Sequence, residues 1–487
     1  MRKTTPALII QYYLSEFAMC LCIFTYSFWY LLFYVNISKS SRLLPKTNFW
    51  HTFGITFNRM RNFVVGLILS IPASLWATKD SSLRYANAIY EKDIRTVKME
   101  NSASGFPFPV VQMGETGSLK LEFDQLTDER DYYQYTLIHC DALWNPSNLQ
   151  KNQYLNGQGF ENIESVNFSN GTLMKFVHYD VSVPAANTTP RLSGNYLLVV
   201  YRNYDEKDIV LSRRLMVLDM KGRVDLTVIQ SSQVELRPTH QQVNFNFVLT
   251  DNYFMPKPYQ DLKAVILRNG EWITTNSSLV PQFITGNSFN YQYQTGNQFE
   301  GLNEFRFFDI RSFRQSTAGV KQRFNVANQK HIVLITDQTR RFDRYFNWAD
   351  YNGRYFLFSR DIPLPSGASA EGDYCFVHFS LKSDEELKNK KVFVYGELSD
   401  WRMHPDCEMF YNADNKTYEA VIPLKQAYYN YSYAVYDPAD GSVDTRHFEG
   451  SHSETENNYM VLMYHRNQTM NYDELIGYGL ENTRAKR

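Results

Sequence analysis

Tyr196-Leu-Leu-Val-Val-Tyr201, the polar stretch Asn203–Asp208 and the return Ile209-Val-Leu211 form the passage on which the fold turns. An apolar run, a polar break and an apolar return read as two strands and their turn, a β-hairpin. The same grammar recurs on both sides. Leu119, Leu121 and Phe123 alternate with Lys120, Glu122 and Asp124. Val224, Leu226 and Val228 alternate with Asp225 and Thr227, and Val243, Phe245, Phe247 and Leu249 with Asn244, Asn246 and Thr250. Further on, Tyr418, Ala420, Ile422 and Leu424 form one set, and Tyr429, Tyr431, Tyr433 and Val435 the next. A period of two puts each set on one face of a sheet. Between the sets stand Asn156-Gly157, Asn170-Gly171, Asn269-Gly270, Asn352-Gly353 and Asp440-Gly441, pairs that tolerate the positive φ of tight turns. The one helical-looking scrap is Ser383-Asp-Glu-Glu-Leu-Lys388, with a capping residue and an acidic first turn. The expected fold is all-β, built of tandem β-sandwich domains.

Composition agrees. Aromatic residues make up 16% of the chain, almost all of them Tyr (35) and Phe (34), which suit half-buried pleated surfaces. The 487 residues exceed one ordinary domain. A net charge of −1 with no Lys/Arg tail or stripe argues against a nucleic-acid partner. The five cysteines, Cys20, Cys22, Cys140, Cys375 and Cys407, show no metal-ligand spacing. Buried free thiols are expected, and a Cys375–Cys407 bridge stays open.

Met60 begins what reads as a complete export signal. Arg61 is its positive start, Phe63–Leu75 its apolar stretch, and Ala77 the residue before cleavage at Thr78. The apolar stretch is too short to span a bilayer comfortably. A second apolar stretch, Met19–Val35, lies upstream. Two consecutive signals are redundant, so residues 1–59 are read as an upstream extension outside the native protein, in preference to a membrane anchor. The mature chain is expected to be periplasmic, without a membrane span of its own. It divides into sandwiches over 84–221 and 222–365 and a third domain over 366–466, followed by a polar tail over 467–487. The small-residue linker Pro365-Ser-Gly-Ala-Ser-Ala370 marks the clearest boundary.

No catalytic, cofactor or metal site emerges. His139-Cys140-Asp141 has nucleophile chemistry, but neighbours on a strand point to opposite faces, so His139 cannot serve Cys140. Cys140 is expected in the core. His447, Glu449 and His452 lack ligand spacing and read as a solvated loop. Trp401 and one face of Tyr428–Tyr436 are the residues that a sugar-binding platform would use; alternation alone favours packing.

Three groups of words nevertheless resemble one family. The first runs from Gly105-Phe-Pro-Phe-Pro109 through Leu119–Asp124 and Tyr135-Thr-Leu-Ile-His-Cys-Asp-Ala-Leu-Trp-Asn-Pro-Ser147 to Tyr154-Leu-Asn-Gly157. The second is Leu192-Ser-Gly-Asn-Tyr-Leu-Leu198, closed by Leu211-Ser-Arg-Arg-Leu-Met-Val217. The third is Val265-Ile-Leu-Arg-Asn-Gly-Glu-Trp272 with Gly301-Leu-Asn-Glu-Phe-Arg-Phe-Phe-Asp-Ile-Arg-Ser312. Together they resemble the plug component of the type IX secretion system of Bacteroidota. Val392-Phe-Val-Tyr-Gly-Glu-Leu-Ser-Asp-Trp401, Tyr418–Leu424 and Tyr429–Tyr433 look like an early-set immunoglobulin module of the kind that accompanies starch-active enzymes. The first resemblance implies a non-catalytic periplasmic protein that caps the large outer-membrane barrel translocon, its partner, through an unplaced surface. The second leaves a periplasmic glycan-binding protein as the alternative. Neither implies a cofactor or a small-molecule substrate.

Overall fold

The computed structural model describes residues 82–101, 108–251, 253, 255–292, 296–361 and 372–486. The upstream extension 1–59, the export signal 60–77 and the 365–370 linker lie outside the described residues. The fold is all-β, as the alternation requires, with sandwiches in tandem.

Four sheets stack face to face. The first holds Ile94–Asn101, Leu119–Gln125, Val177–Val183 and Ser165–Phe168. The second centres on Tyr133–Cys140, Gly194–Arg202 and Asp205–Leu218. The third holds Glu271–Asn276, Leu262–Arg268, Asn458–Asn467 and Tyr472–Asn482. The fourth centres on Gly222–Gln230, His240–Leu249 and Ser288–Tyr291. Leu119, Leu121 and Phe123 meet Tyr135, Leu137 and Leu198 between the first and second sheets. Cys140, Leu197 and Val199 meet Val265, Leu267, Met460 and Leu462 between the second and third. Ala264, Ile266, Val461 and Met463 meet Phe245, Phe247 and Phe289 between the third and fourth.

This layering explains the opening passage. Tyr196, Leu198 and Val200 enter one core while Leu197 and Val199 enter another, so the strand has no solvent face and reads as a continuous apolar run. Its turn is tighter than expected. Asn203 and Tyr204 alone take positive φ, 53° and 61°, while Asp205–Asp208 already belong to the return strand. The glycines of all five Asn-Gly and Asp-Gly pairs take positive φ, as anticipated.

A ten-stranded sheet wraps the remaining core. Ala427–Tyr436 lies near one end, paired to Arg306–Asp309, Tyr355–Leu357 and Lys391–Tyr395; Gln329–Leu334 and Val320–Val326 close the other. Tyr429, Tyr431, Tyr433 and Val435 face inward with Phe308, Phe379 and Val394.

Sheet pairing crosses the boundaries read from sequence. Strands before residue 365 enter the ten-stranded sheet, and Asn458–Asn467 pairs with Leu262–Arg268. The polar tail expected over 467–487 is corrected: Tyr472–Asn482 is a paired strand with Leu475 and Ile476 buried. Gly477 and Gly479 let it approach the fourth sheet, since a Cβ there would stand 2.6 Å from Phe247 and 2.7 Å from Val224. The helix expected at Ser383–Lys388 is absent. The Leu387 amide donates instead to the Tyr418 hydroxyl at 2.6 Å, and Asn389 turns the chain with φ 62°. A tertiary hydrogen bond outweighs one turn of marginal propensity.

Candidate functional site

The nucleophile-like trio is dispersed. His139 sits opposite Tyr196 on the antiparallel neighbour, packed edge-on against the Tyr196 and Tyr472 rings. Its Nε2 lies 3.4 Å from the Ser193 carbonyl, and burial pushes its pKa down to about 4. Cys140 faces the opposite core, where burial pushes its thiol up to about 12. Asp141 accepts from the Leu143 and Asn145 amides, 2.9 and 2.8 Å away, and so holds a turn. Cys375 and Cys407 are both buried free thiols, which closes the bridge question.

The solvated-loop reading of His447, Glu449 and His452 is corrected at its centre. Glu449 is buried and paired to Arg306 at 3.0 Å and Arg340 at 2.5 Å. Burial alone would raise its pKa, but the two guanidinium groups outweigh it and hold the carboxyl below its usual range. Arg306 also reaches Asp337 at 2.9 Å, and Asp337 accepts from the Tyr431 and Tyr433 hydroxyls at 2.6 Å each. The cluster ties the 335–354 connection to the ten-stranded sheet. Among the described residues no cluster of three or more His, Cys, Asp or Glu side chains is placed to hold a metal ion.

The sugar-platform residues are used for packing. Trp401 lies edge-on to Phe305 and Tyr395, with Gly353 close against its Cη2. Tyr428 stands on the outer face of its strand, stacked with Phe307 at 5.8 Å and edge-on to Tyr351 at 5.7 Å, with the Arg311 guanidinium 5.3 Å from its centroid. Together these rings form an apolar, cation-decorated patch in which Tyr428 is packed on by its neighbours.

The stretches that carry the family resemblance converge on the seam between the second and third sheets. Arg214 lies against the edge-on pair of Trp144 and Trp272, 4.6 and 5.0 Å from their centroids, and burial lowers its pKa to about 10. Asn195 links the Asp141 carbonyl at 2.9 Å to the Tyr464 hydroxyl at 2.8 Å. Arg213 grips both Asp400 oxygens at 3.1 Å, tying the seam to the ten-stranded sheet. Phe108, Trp144, Arg213 and Asn269 are buried here, so these side chains hold the molecule together and are unavailable to a partner.

Exposed apolar groups gather elsewhere. The connection 335–354 leaves the ten-stranded sheet after Leu334 and rejoins it at Tyr355. It lacks regular structure, yet it is firmly held. Arg340 is fixed by Glu449, the Trp348 indole donates to the Phe305 carbonyl at 2.9 Å, Tyr345 donates to Glu304, and the Tyr351 amide donates to Asn430 at 2.6 Å. From this frame Phe342 and Phe346 project 87% and 69% exposed. In the same connection Tyr351 packs edge-on against Phe356 and Tyr428, and Tyr428 stacks on Phe307. Sequence reasoning missed this surface because its residues show no period; a running charge count over 307–361 would have flagged it.

Residues 94–219 match the family model described as the type 9 secretion system plug protein first domain. Among solved structures, a hypothetical protein from Parabacteroides merdae ATCC 43184 is 26% identical, with a TM-score of 0.78, over 82% of this chain and 100% of that one. The alkylpurine DNA glycosylase AlkC of Pseudomonas fluorescens is 9% identical over 26% of this chain and 30% of its own, and its TM-score of 0.16 marks no shared fold. A comparison with curated proteins gives no match.

Proposed function

We propose that this chain, which belongs through residues 94–219 to the type 9 secretion system plug family, is a non-catalytic periplasmic body that caps the large outer-membrane barrel translocon of that system. The family match over the first sandwich carries the reading. The architecture supports it. A barrel wide enough for folded cargo leaks when idle, and its seal must be broad and stiff. Sheets buried on both faces give stiffness, because flexing one sandwich against the next would open the Leu197/Val199–Met460/Leu462 core. Among the described residues no helix is long and apolar enough to cross a membrane.

A cap of this kind needs an interface of roughly 1,200–2,000 Å², with finite affinity so that cargo can displace it. Deleting the gene should sensitise cells to vancomycin, a large hydrophilic compound, only where the barrel is present. Equal sensitisation in cells with and without the barrel would overturn the sealing role. Cargo folding should be unchanged.

A further inference from the structure

Segment 307–361 differs from the rest of the chain in charge and in surface. It holds ten Lys and Arg against five Asp and no Glu, a net of +5 in a chain whose total is −1. Within it Phe307, Phe342, Phe346, Tyr351, Phe356 and Phe358 are all exposed. Its anions are largely engaged internally. Asp309 is held by Arg311 at 2.7 Å and Arg360 at 3.7 Å, Asp337 by Arg306 and two tyrosines, and Asp361 by Ser312 at 2.6 Å and the Phe313 amide at 2.7 Å. Arg314, Arg341, Arg344 and Arg360 of the same segment are exposed, Arg341 over the Phe342 ring.

Long connections without regular structure are uncommon in compact β proteins and are often binding loops. This one is anchored at Arg340, Tyr345, Trp348 and Tyr351, so the cost of ordering it is met before any partner arrives. Exposed Phe and Tyr beside Arg is the composition of interface hot spots. A cationic rim selects a partner with an anionic one and accelerates its capture.

We propose that the 335–354 connection, with the outer face of Arg306–Asp309, Tyr355–Leu357 and Tyr428, is the docking surface for an acidic protein partner, whose apolar pockets take Phe342 and Phe346 and whose carboxylates meet Arg341 and Arg344. Resting on the plug reading, it assigns that partner as the periplasmic rim of the translocon barrel. A protein is favoured over an anionic bilayer because the segment that bears the rings is anchored at Arg340, Tyr345 and Trp348 and carries an exposed acid, Asp343.

The test uses the full chain and the purified barrel in detergent, with affinity measured at low and high NaCl. F342D/F346D and R341E/R344E should each weaken binding at least about 30-fold, and salt should weaken wild-type binding. F410D, at an exposed Phe in the strand Glu408–Asn412, which is outside the proposed surface, should bind as wild type. Matching circular dichroism and melting curves show that the variants fold. Equal binding by every variant would overturn this surface and leave the plug reading standing. No binding by wild type would overturn both. Phe342/Phe346-dependent sedimentation with phosphatidylglycerol vesicles, together with unchanged barrel binding, would overturn the protein assignment in favour of a membrane.

Discussion

The Lys425 ammonium lies 2.6 Å from an Asp124 carboxylate oxygen across 301 residues of sequence, with 1% of each side chain exposed. Asp124 also accepts from the Tyr374 hydroxyl at 2.6 Å and stands 2.7 Å from His178 Nδ1. Lys425 lies 4.0 Å from the centroid of the Phe176 ring. The pair fastens the first sheet to the ten-stranded sheet.

Breaking that pair should be costly because it strands a buried charge. Lys425→Met should lower unfolding free energy by about 3 kcal/mol. Adding Asp124→Asn should return part of the loss, with a coupling of at least about 1 kcal/mol. Urea titrations of the two single variants and the double variant measure this, and strict additivity would show that the two side chains act independently.

Stability should fall as pH rises through the range set by Glu304. Burial, with Asp350 nearby, raises its carboxyl from 4.5 to about 7. The unfolded carboxyl gives up its proton near pH 4.5 and the folded one near 7. The penalty therefore grows across that window and is complete above it. Glu304→Gln should be more stable than wild type by roughly 2 kcal/mol at pH 8 and nearly equal to it at pH 4. Denaturant melts at the two pH values decide it.

Cys140, Cys375 and Cys407 should resist a thiol reagent in the native protein and react only on unfolding, since burial raises each thiol above its usual range. Cys140→Ala should cost about 1–2 kcal/mol for the cavity and leave the proposed sealing of the barrel intact. Peptide mapping after labelling reads the first outcome and vancomycin sensitivity the second.

Removing residues 472–487 should destroy more than a tail. The strand Tyr472–Asn482 pairs along Asn458–Asn467 and puts Ile476 into the core shared with Phe245 and Phe247. The truncated chain should lose cooperative unfolding and become protease-sensitive across the third and fourth sheets. Limited proteolysis shows whether it does.

Much of this was legible along the chain. Alternation in Val243–Leu249 and Thr417–Lys425 reflects strand geometry, which every residue repeats locally, and the Asn-Gly turns reflect the φ that glycine alone adopts freely. Local rules also placed His139 and Cys140 on opposite faces. Tertiary structure decided what depends on distant partners. Leu197 and Val199 are covered by Met460 and Leu462, the segment after residue 466 is a strand because it pairs with Asn458–Asn467 and buries Ile476 in the core with Phe247, and Ser383–Lys388 loses its helix to the Tyr418 hydroxyl. Glu449 looks solvent-bound in sequence and is buried because Arg306 and Arg340 converge on it. Backbone preferences act between neighbours in sequence, whereas burial and ion pairing act between whatever the folded chain brings within a few ångströms.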